Sequence, residues 1–425
     1  MFENITLTRF AASPLPICRL RPFLPGALIA IFFCQPALAA GIGNMFRPFL
    51  DYTVVADDNI LRIRDRMDTQ ALLGTNNLFD ISQRVTGGVM FEKEISRQRL
   101  SANANWSYNR FERFDQMNNN LKNFSGNWNW FLGNRLEGNM GASHAQSLVP
   151  FLFQPGVKNI RTEQTEFINA AWRLHPSWRL NGDYTRYDLN TNSPSNRLRF
   201  LNRTEDRFEA GFDYLATSNS TVGILLRNIH GDFPVLVQAP DGSFTDNGFD
   251  QKEALAKINW VVSEKSRLQG TGGWVERKNA SFAQRNFSGF NARLIYRWQP
   301  TDKLGLTITG WRETAAMQNL SASFSLNTGV SAAPSWNITE KVRLEGDFSY
   351  DNRKFNQFAI LTDPLLAIGR NNTFRNAAIK LIYSLYPGLQ LNASAYHTDL
   401  KSDASLGGYN ANGANINLQY IYGRQ

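Results

Sequence analysis

The chain has 425 residues, a formal net charge of +9 and two cysteines. Its basic residues are spread along the sequence and form no basic tail, so composition gives no support for a nucleic-acid-binding protein. Both cysteines, Cys18 and Cys34, lie near the N-terminus, which excludes a disulfide framework for the rest of the chain. The mean hydropathy is slightly negative, yet aromatic residues make up 12% of the chain.

The N-terminus has the three parts of a secretory signal peptide. Arg19 and Arg21 provide positive charge, an apolar run follows at 23–34, and Ala37 and Ala39 form an A-x-A cleavage pattern. The apolar run is shorter than the roughly 20 residues that a transmembrane helix needs. We therefore expect cleavage and export.

This assignment divides the chain into residues 1–39, the cleaved signal peptide, and residues 40–425, a single domain. A lipoprotein signal is the alternative, because Cys34 follows the apolar run. Bulky Phe33, where a small residue is wanted, argues against it.

Beyond the signal, apolar and polar residues alternate, as the segment 124–141 illustrates. Trp128 and Trp130 alternate with Asn127 and Asn129, and the pattern restarts after a short interruption. Period-two alternation predicts β-strands with one apolar and one polar face. We find about eighteen such segments, most near the length of a membrane-spanning strand. In chain order they cover 46–54, 85–91, 100–108, 124–130, 136–140, 168–174, 178–184, 208–216, 222–226, 254–262, 268–274, 290–298, 304–310, 326–336, 342–350, 377–385, 389–395 and 416–422.

The links between these strands alternate between short and long. The short links are 132–134, 175–177, 217–219, 263–265, 300–302, 337–339 and 386–388. The long links are 57–79, 148–161, 190–202, 232–248 and 354–371. Short periplasmic turns and long extracellular loops are typical of outer-membrane barrels. The sequence therefore predicts an all-β fold, a transmembrane antiparallel up-and-down β-barrel of about eighteen strands in the Gram-negative outer membrane.

The tryptophans support this prediction independently. Seven of the ten lie beside short links, namely Trp128, Trp130, Trp172, Trp178, Trp260, Trp298 and Trp336. Indole rings favour the membrane–water interface, so the short links mark the periplasmic interface. A soluble β-sandwich also alternates, but it would not collect tryptophan at one end of the strands.

The polar stripe is predicted to face the lumen, which in a barrel of this size is a water-filled channel. The charged candidates are Arg47, Arg84, Glu137, Arg179, Asp183, Arg207, Glu209, Asp213, Arg227, Lys257, Arg293, Arg297, Arg343, Glu345, Asp347 and Lys380. Asparagines such as Asn103, Asn105 and Asn139 share this stripe. Mixed charges with amides suit hydroxyl-rich solutes, although a channel wall without a specific solute has the same composition, with charges paired across strands.

No catalytic or metal site is predicted. The four histidines, His144, His175, His230 and His397, do not stand in a pattern with serine and acidic residues. Metal-ligand spacings, phosphate loops and nucleotide motifs are also missing from the sequence, so we expect no enzyme activity, cofactor or nucleic-acid partner.

Several hairpins resemble a known family. Four stretches carry the resemblance: DYTVVADDNILRIRD at 51–65, FEKEISRQRLSANANWSYNRFERF at 91–114, WNWFLGNRLEGNMGASHAQSL at 128–148 and AAWRLHPSWRLNGDYTRYDL at 171–189. They are similar to EpsL-like outer-membrane β-barrels of exosortase/PEP-CTERM-associated exopolysaccharide biosynthesis clusters. The resemblance covers most of the mature chain. It implies a porin-like barrel involved in exopolysaccharide biosynthesis or export, and it supplies no functional residues.

The leading hypothesis is therefore a porin-like conduit for exopolysaccharide. A general or nutrient diffusion porin, and a non-conducting barrel that scaffolds polysaccharide machinery, are the alternatives. Expected partners are outer-membrane lipid, the polysaccharide, other polysaccharide export proteins and the outer-membrane assembly machinery. The sequence does not determine an oligomeric state.

Overall fold

A computed structural model describes residues 45–149, 158–192, 202–238, 244–281, 283, 286–319, 322–357 and 371–423. The predicted signal peptide lies outside these residues. The strands are β1 Phe46–Asp57, β2 Asp80–Ile95, β3 Gln98–Phe111, β4 Asn119–Leu132, β5 Leu136–Leu148, β6 Ile160–His175, β7 Trp178–Thr191, β8 Arg203–Leu215, β9 Thr221–Asp232, β10 Val237–Gln238, β11 Phe244–Thr245, β12 Phe249–Ser263, β13 Ser266–Asn279, β14 Phe287–Trp298, β15 Leu304–Asn319, β16 Ala322–Asn337, β17 Val342–Gln357, β18 Asn371–Tyr386, β19 Leu389–Ser402 and β20 Tyr409–Ile421.

Eighteen of these strands form one antiparallel sheet, and β10 and β11 form a separate small hairpin between β9 and β12. Each strand of the large sheet pairs with its neighbours in the chain, and β20 pairs with β1, for example at Leu50↔Tyr420. That last pairing closes the sheet and leaves no free edge. The backbone N–H and C=O groups are therefore hydrogen-bonded between strands, which is necessary because lipid offers them no partners. The predicted fold class is confirmed.

The connections follow the predicted alternation. On the side of the barrel that carries Phe46 and Ile421, adjacent strands are joined by short turns. Gly133 and Gly388 sit in two of these turns with φ of +60° and +85°, a left-handed conformation that glycine adopts without steric cost. The opposite side carries the longer connections, apart from the two-residue step between Asn319 and Ala322, and we identify it as extracellular.

The two faces of the sheet differ sharply. Large apolar side chains of one parity are exposed along the strands, and Ile224, Leu226 and Ile416 are each about 60% exposed. A continuous apolar surface of this kind is stable against lipid and not against water. The residues of the opposite parity form the inner face, which lines the lumen.

The helical content is small. The alternating sequence pattern predicts strands and no helix, whereas the described residues contain one short α-helix, α1 (Thr69–Leu73), in the loop after β1 and one 3-10 turn at Asp115–Met117 after β3. Asp68 caps α1 by accepting a hydrogen bond from the Ala71 amide, and Gly74 ends it with φ of +71°. A five-residue helix is too short to give a periodic apolar pattern, which is why sequence alternation missed it. No helix in the described part of the chain is long and apolar enough to cross a membrane.

Candidate functional site

The predicted charged lumen residues all have the parity of the inner face. They alternate with exposed apolar residues, as Arg293 does with Leu294 and Lys380 does with Leu381. Cross-strand register is consistent with this, because Arg179 pairs with Asp213 and residues paired across an antiparallel sheet share a face. Their participation in permeation remains a prediction.

One group of charges forms a continuous ladder across β7, β8, β9 and β12. The guanidinium of Arg207 lies 3.8 Å from Asp183 and 3.2 Å from Glu209. The guanidinium of Arg227 then joins Glu209 at 2.7 Å to Glu253 at 2.8 Å. The ladder places alternating charges along the wall, and each cation is neutralised by a neighbouring carboxylate.

Asp213 is a second centre beside this ladder. Its carboxylate lies 2.9 Å from Arg179 and 2.7 Å from Lys257, and it also accepts a hydrogen bond of 2.7 Å from Asn181. The Asp213 side chain has no exposed surface, whereas those of Arg179 and Lys257 are about one-quarter exposed. Two cations thus share one buried anion.

A third set of candidates lies on the other half of the wall. Arg293 binds Glu313 through two hydrogen bonds of 2.9 and 2.7 Å. Arg343 lies 2.9 Å from Glu345, and Lys380 lies 4.0 Å from the same carboxylate. These side chains have the parity of the inner face and are roughly one-third to one-half exposed.

The remaining candidates are separate from these groups. Arg47 lies 2.9 Å from Glu92, Asp347 accepts a hydrogen bond of 3.0 Å from Asn376, and Arg297 donates to Gln269. Arg84 and Glu137 lie on the inner face of β2 and β5, away from the ladder. The structure therefore collects only part of the predicted set into clusters.

Sequence reasoning missed several acidic residues of the inner face. Glu253 precedes the apolar stripe 254–262, and Glu313 follows the stripe 304–310. β12 begins before its predicted stripe and β15 continues after its predicted stripe, so the predicted segments were too short to include these positions. Their parity in the sequence, which matches that of the polar stripe, could have identified them as residues of the inner face. With these carboxylates the positive charge of the wall is largely balanced.

Asparagines line the wall away from the ladder. Asn105 donates to Asn103 at 2.9 Å, and Asn123 donates to Asn105 at 3.1 Å. Asn392 donates to Asn417 at 2.8 Å on β19 and β20. Each amide retains further donors and acceptors, which gives the lumen a surface that can exchange hydrogen bonds with water and hydroxyl groups.

The loop from residue 58 to residue 79, called L1 here, is held against the inner wall at the extracellular end. Asp58 accepts hydrogen bonds of 2.7 and 2.8 Å from the amide and side chain of Asn412. The Asp65 amide donates to the Gly408 carbonyl at 2.8 Å. These contacts tie L1 to β20 and to the loop that precedes it.

Arg62 fastens L1 to the inner face. Its guanidinium lies 2.9 Å from Asp57 and 5.9 Å from the ring centre of Tyr396, both of which have lumen parity. Burial alone would lower the pKa of Arg62, but Asp57 and Tyr396 outweigh this effect and raise it. Burial lowers the pKa of Arg64, also in L1. Arg62 therefore stays charged across the physiological range.

Apolar contacts complete the packing of L1. Leu61 and Ile63 are buried against Phe111 at the end of β3 and against Phe114 and Met117. Fully burying side chains of this size stabilises each by about 1.5–3 kcal/mol relative to exposure. L1 is thus a packed segment at the extracellular end of the barrel.

The histidines do not converge on a site. His144 packs against Phe124 on the outer face, His230 lies 2.9 Å from Asp250, and His397 contacts Asn412. Within the described ranges no group of His, Cys, Asp and Glu could hold a metal ion.

Comparison with known proteins gives the following similarities. The family described as "Putative beta-barrel porin 2" matches residues 250–421. Acinetobacter baumannii OccAB3 is 8% identical and covers 89% of this chain and 99% of its own, with a TM-score of 0.44. Pseudomonas aeruginosa OccK2 (OpdF), solved with glucuronate, is 8% identical and covers 88% and 98%, with a TM-score of 0.47. Pseudomonas aeruginosa OprD is 8% identical and covers 89% and 94%, with a TM-score of 0.45. No curated protein sequence matches the chain.

The closed eighteen-stranded antiparallel sheet and its apolar outer face define the class of this protein, a transmembrane β-barrel of the Gram-negative outer membrane. Its residues 250–421 are similar to a family of β-barrel porins.

Proposed function

We propose that this barrel is a passive channel for hydroxyl-rich solutes and that its cargo is exopolysaccharide. The observation that carries the proposal is the polar inner face of a closed barrel of eighteen strands. Barrels of 16–18 strands are too wide for their own side chains to fill and enclose an aqueous channel.

The chemistry of the wall favours neutral cargo. The cations of the ladder, Arg207 and Arg227, are each paired with carboxylates. Paired charges exert a weaker field on a passing ion than isolated ones, because the opposite charges cancel over a few ångströms. Amides such as Asn103 and Asn105 add donors and acceptors for hydroxyl groups.

Exopolysaccharide as the cargo rests on the resemblance of residues 51–189 to EpsL-like barrels. In this proposal the barrel is inserted by the outer-membrane assembly machinery, contacts lipid through its outer face and receives polymer from other polysaccharide export proteins. Passive transfer needs neither a cofactor nor a catalytic residue.

A nutrient porin is the second candidate, and the exposed cations of the lumen favour it. Arg207 and Arg293 are each about 40% exposed despite their pairing, so they can contact small anionic solutes. A scaffold that does not conduct is the third possibility, for which L1 would have to close the mouth completely.

The test combines a cell assay with a reconstituted one. Deletion of the gene should stop polymer from reaching the medium and leave it in the periplasm, and liposomes containing the barrel should swell in neutral sugars. Normal polymer secretion together with lost uptake of small solutes would instead identify a nutrient porin. Failed polymer export together with liposomes that never swell would identify a scaffold.

A further inference from the structure

Trp311 differs from every other tryptophan of the chain. The other tryptophans have outer-face parity, as Trp298 and Trp336 do on the strands that flank β15. Trp311 follows Gly310 of the apolar stripe, so its parity is that of the lumen, and it pairs with Arg293 on β14 and Gly329 on β16. An indole on the wall of an aqueous channel exposes apolar surface to water, which needs a physical reason.

The indole of Trp311 lies flat along the wall. Its Nε1 donates a hydrogen bond of 3.1 Å to Asp351 on β17, two strands away. Neighbouring strands are about 4.8 Å apart, so the ring reaches Asp351 only by lying across β16. Gly329 makes this possible, because a Cβ atom there would lie 2.4 Å from the ring. One face of the indole thus packs on the backbone of β16, and the guanidinium of Arg293 lies 5.6 Å from the centre of the ring. The side chain is half-buried, so part of the ring stays open to the lumen.

Hydrogen-bonding side chains border the ring on both sides along the strands. The cross-strand register places one row, Thr309, Ser331 and Ser349, on the periplasmic side of the ring. It places a second row, Glu313, Asn327 and Arg353, on the extracellular side. The structure therefore has a flat aromatic surface between two polar rows, at about mid-height of the barrel.

The charges of this surface are paired. Arg293 binds Glu313 at 2.7 Å, and Arg353 binds Asp351 at 2.6 Å. An anionic ligand would have to compete with these carboxylates, whereas a neutral ligand can hydrogen-bond to both partners of each pair without separating them.

We propose that the surface formed by Trp311, Glu313, Asp351 and Arg353 is a binding subsite for one pyranose ring of a neutral glycan. The C–H face of the sugar would stack on the indole, and its equatorial hydroxyl groups would bond to the polar rows. The inference rests on the proposed function, since it names how a hydroxyl-rich cargo is held in the channel. It assigns Trp311 a binding role.

The test measures binding without requiring conduction. Purified barrel in lauryldimethylamine oxide, a detergent without sugar, is titrated with maltohexaose by calorimetry and by tryptophan fluorescence. Trp311→Ala should raise the dissociation constant about tenfold, the effect expected on losing one aromatic stacking contact. Trp311→Phe keeps an aromatic face and should stay within about threefold of wild type. Trp106→Ala, which removes an indole from the outer face of distant β3, is the matched control and should bind as wild type does.

The outcomes separate the two proposals. Equal binding by wild type and Trp311→Ala, or preference for an oligogalacturonate over maltohexaose, would overturn the subsite and leave the channel intact. Loss of binding in Trp311→Ala with retention in Trp311→Phe supports the subsite even if conductance fails. If Trp311→Ala does not fold, Asp351→Asn with Glu313→Gln tests the same surface, and unchanged binding there overturns the subsite.

Discussion

The ammonium of Lys257 lies 2.7 Å from the carboxylate of Asp213, whose side chain has no exposed surface. Arg179 approaches the same carboxylate, so two cations from β7 and β12 meet at one anion on β8. A buried anion of this kind holds three strands of the wall in register. Its removal leaves two cations close together without their shared partner.

Asp213→Ala should therefore destabilise the barrel by about 3–5 kcal/mol, the range for breaking a buried ion pair. The measurement is urea unfolding in lipid vesicles, followed by the gel shift of unheated samples. Asp183→Ala is the control, because its partner Arg207 is 3.8 Å away and its own side chain is about one-quarter exposed. Equal destabilisation by both substitutions would contradict the assignment.

The parity of the faces predicts opposite effects at two adjacent positions of β18. Ile379 is 53% exposed on the outer face near mid-strand, and Lys380 faces the lumen near Glu345. Ile379→Arg should cost about 2–4 kcal/mol, as arginine does at the bilayer midplane, while Lys380→Leu should assemble normally. Outer-membrane yield of heat-modifiable protein measures both. If both changes were tolerated equally, the assignment of the inner and outer faces would be wrong.

L1 is predicted to limit the conductance. Asp57 and Asp80 are paired across β1 and β2, so an Asn-Gly turn can replace residues 58–79 and close the hairpin. This variant should show larger single-channel steps than wild type, because it lacks the segment that packs on inner-face residues such as Asp57 and Phe111 at the extracellular end. Steps of unchanged size in a correctly folded variant would show that L1 lies outside the conducting path.

The pKa of Arg62 predicts how L1 responds to alkali. Because the pKa of Arg62 is raised in the folded protein, the stabilisation that Arg62 gives is complete below its unfolded pKa and is lost only as the pH rises through the higher folded pKa. Conductance should therefore not increase between about pH 7 and 9, well below that pKa. A rise in wild type that the Asn-Gly variant does not show would contradict this account of the L1 anchor.

Strand periodicity made the fold predictable, and it did so because one face of every strand must be apolar. Trp128 and Trp130 also have outer-face parity, and their position at the strand ends indicated the periplasmic interface. The ends of the strands were less predictable, because Glu253 lies just before the apolar stripe 254–262 and Glu313 lies just after the stripe 304–310, where the alternation of apolar and polar residues is lost. Only the strand register of the structure shows that these two carboxylates belong to the inner wall, where they pair with Arg227 and Arg293.

L1 and the Trp311 surface depend on contacts that periodicity does not encode. Arg62 meets Tyr396 across more than three hundred residues of sequence, because the last strands close against the first. Trp311 lies flat because Gly329 on the next strand lacks a side chain. The sequence nevertheless shows that Trp311, unlike the other tryptophans, has the parity of the lumen. The amino-acid composition of the lumen alone does not reveal this difference.

Single-channel recording in planar lipid bilayers tests the central claim most directly. The purified barrel with L1 intact is predicted to give discrete, long-lived conductance steps with weak ion selectivity, because the charges of its wall are paired. A folded, heat-modifiable barrel that gives no steps, both with L1 and with the Asn-Gly turn in its place, would contradict the claim that this protein is a channel.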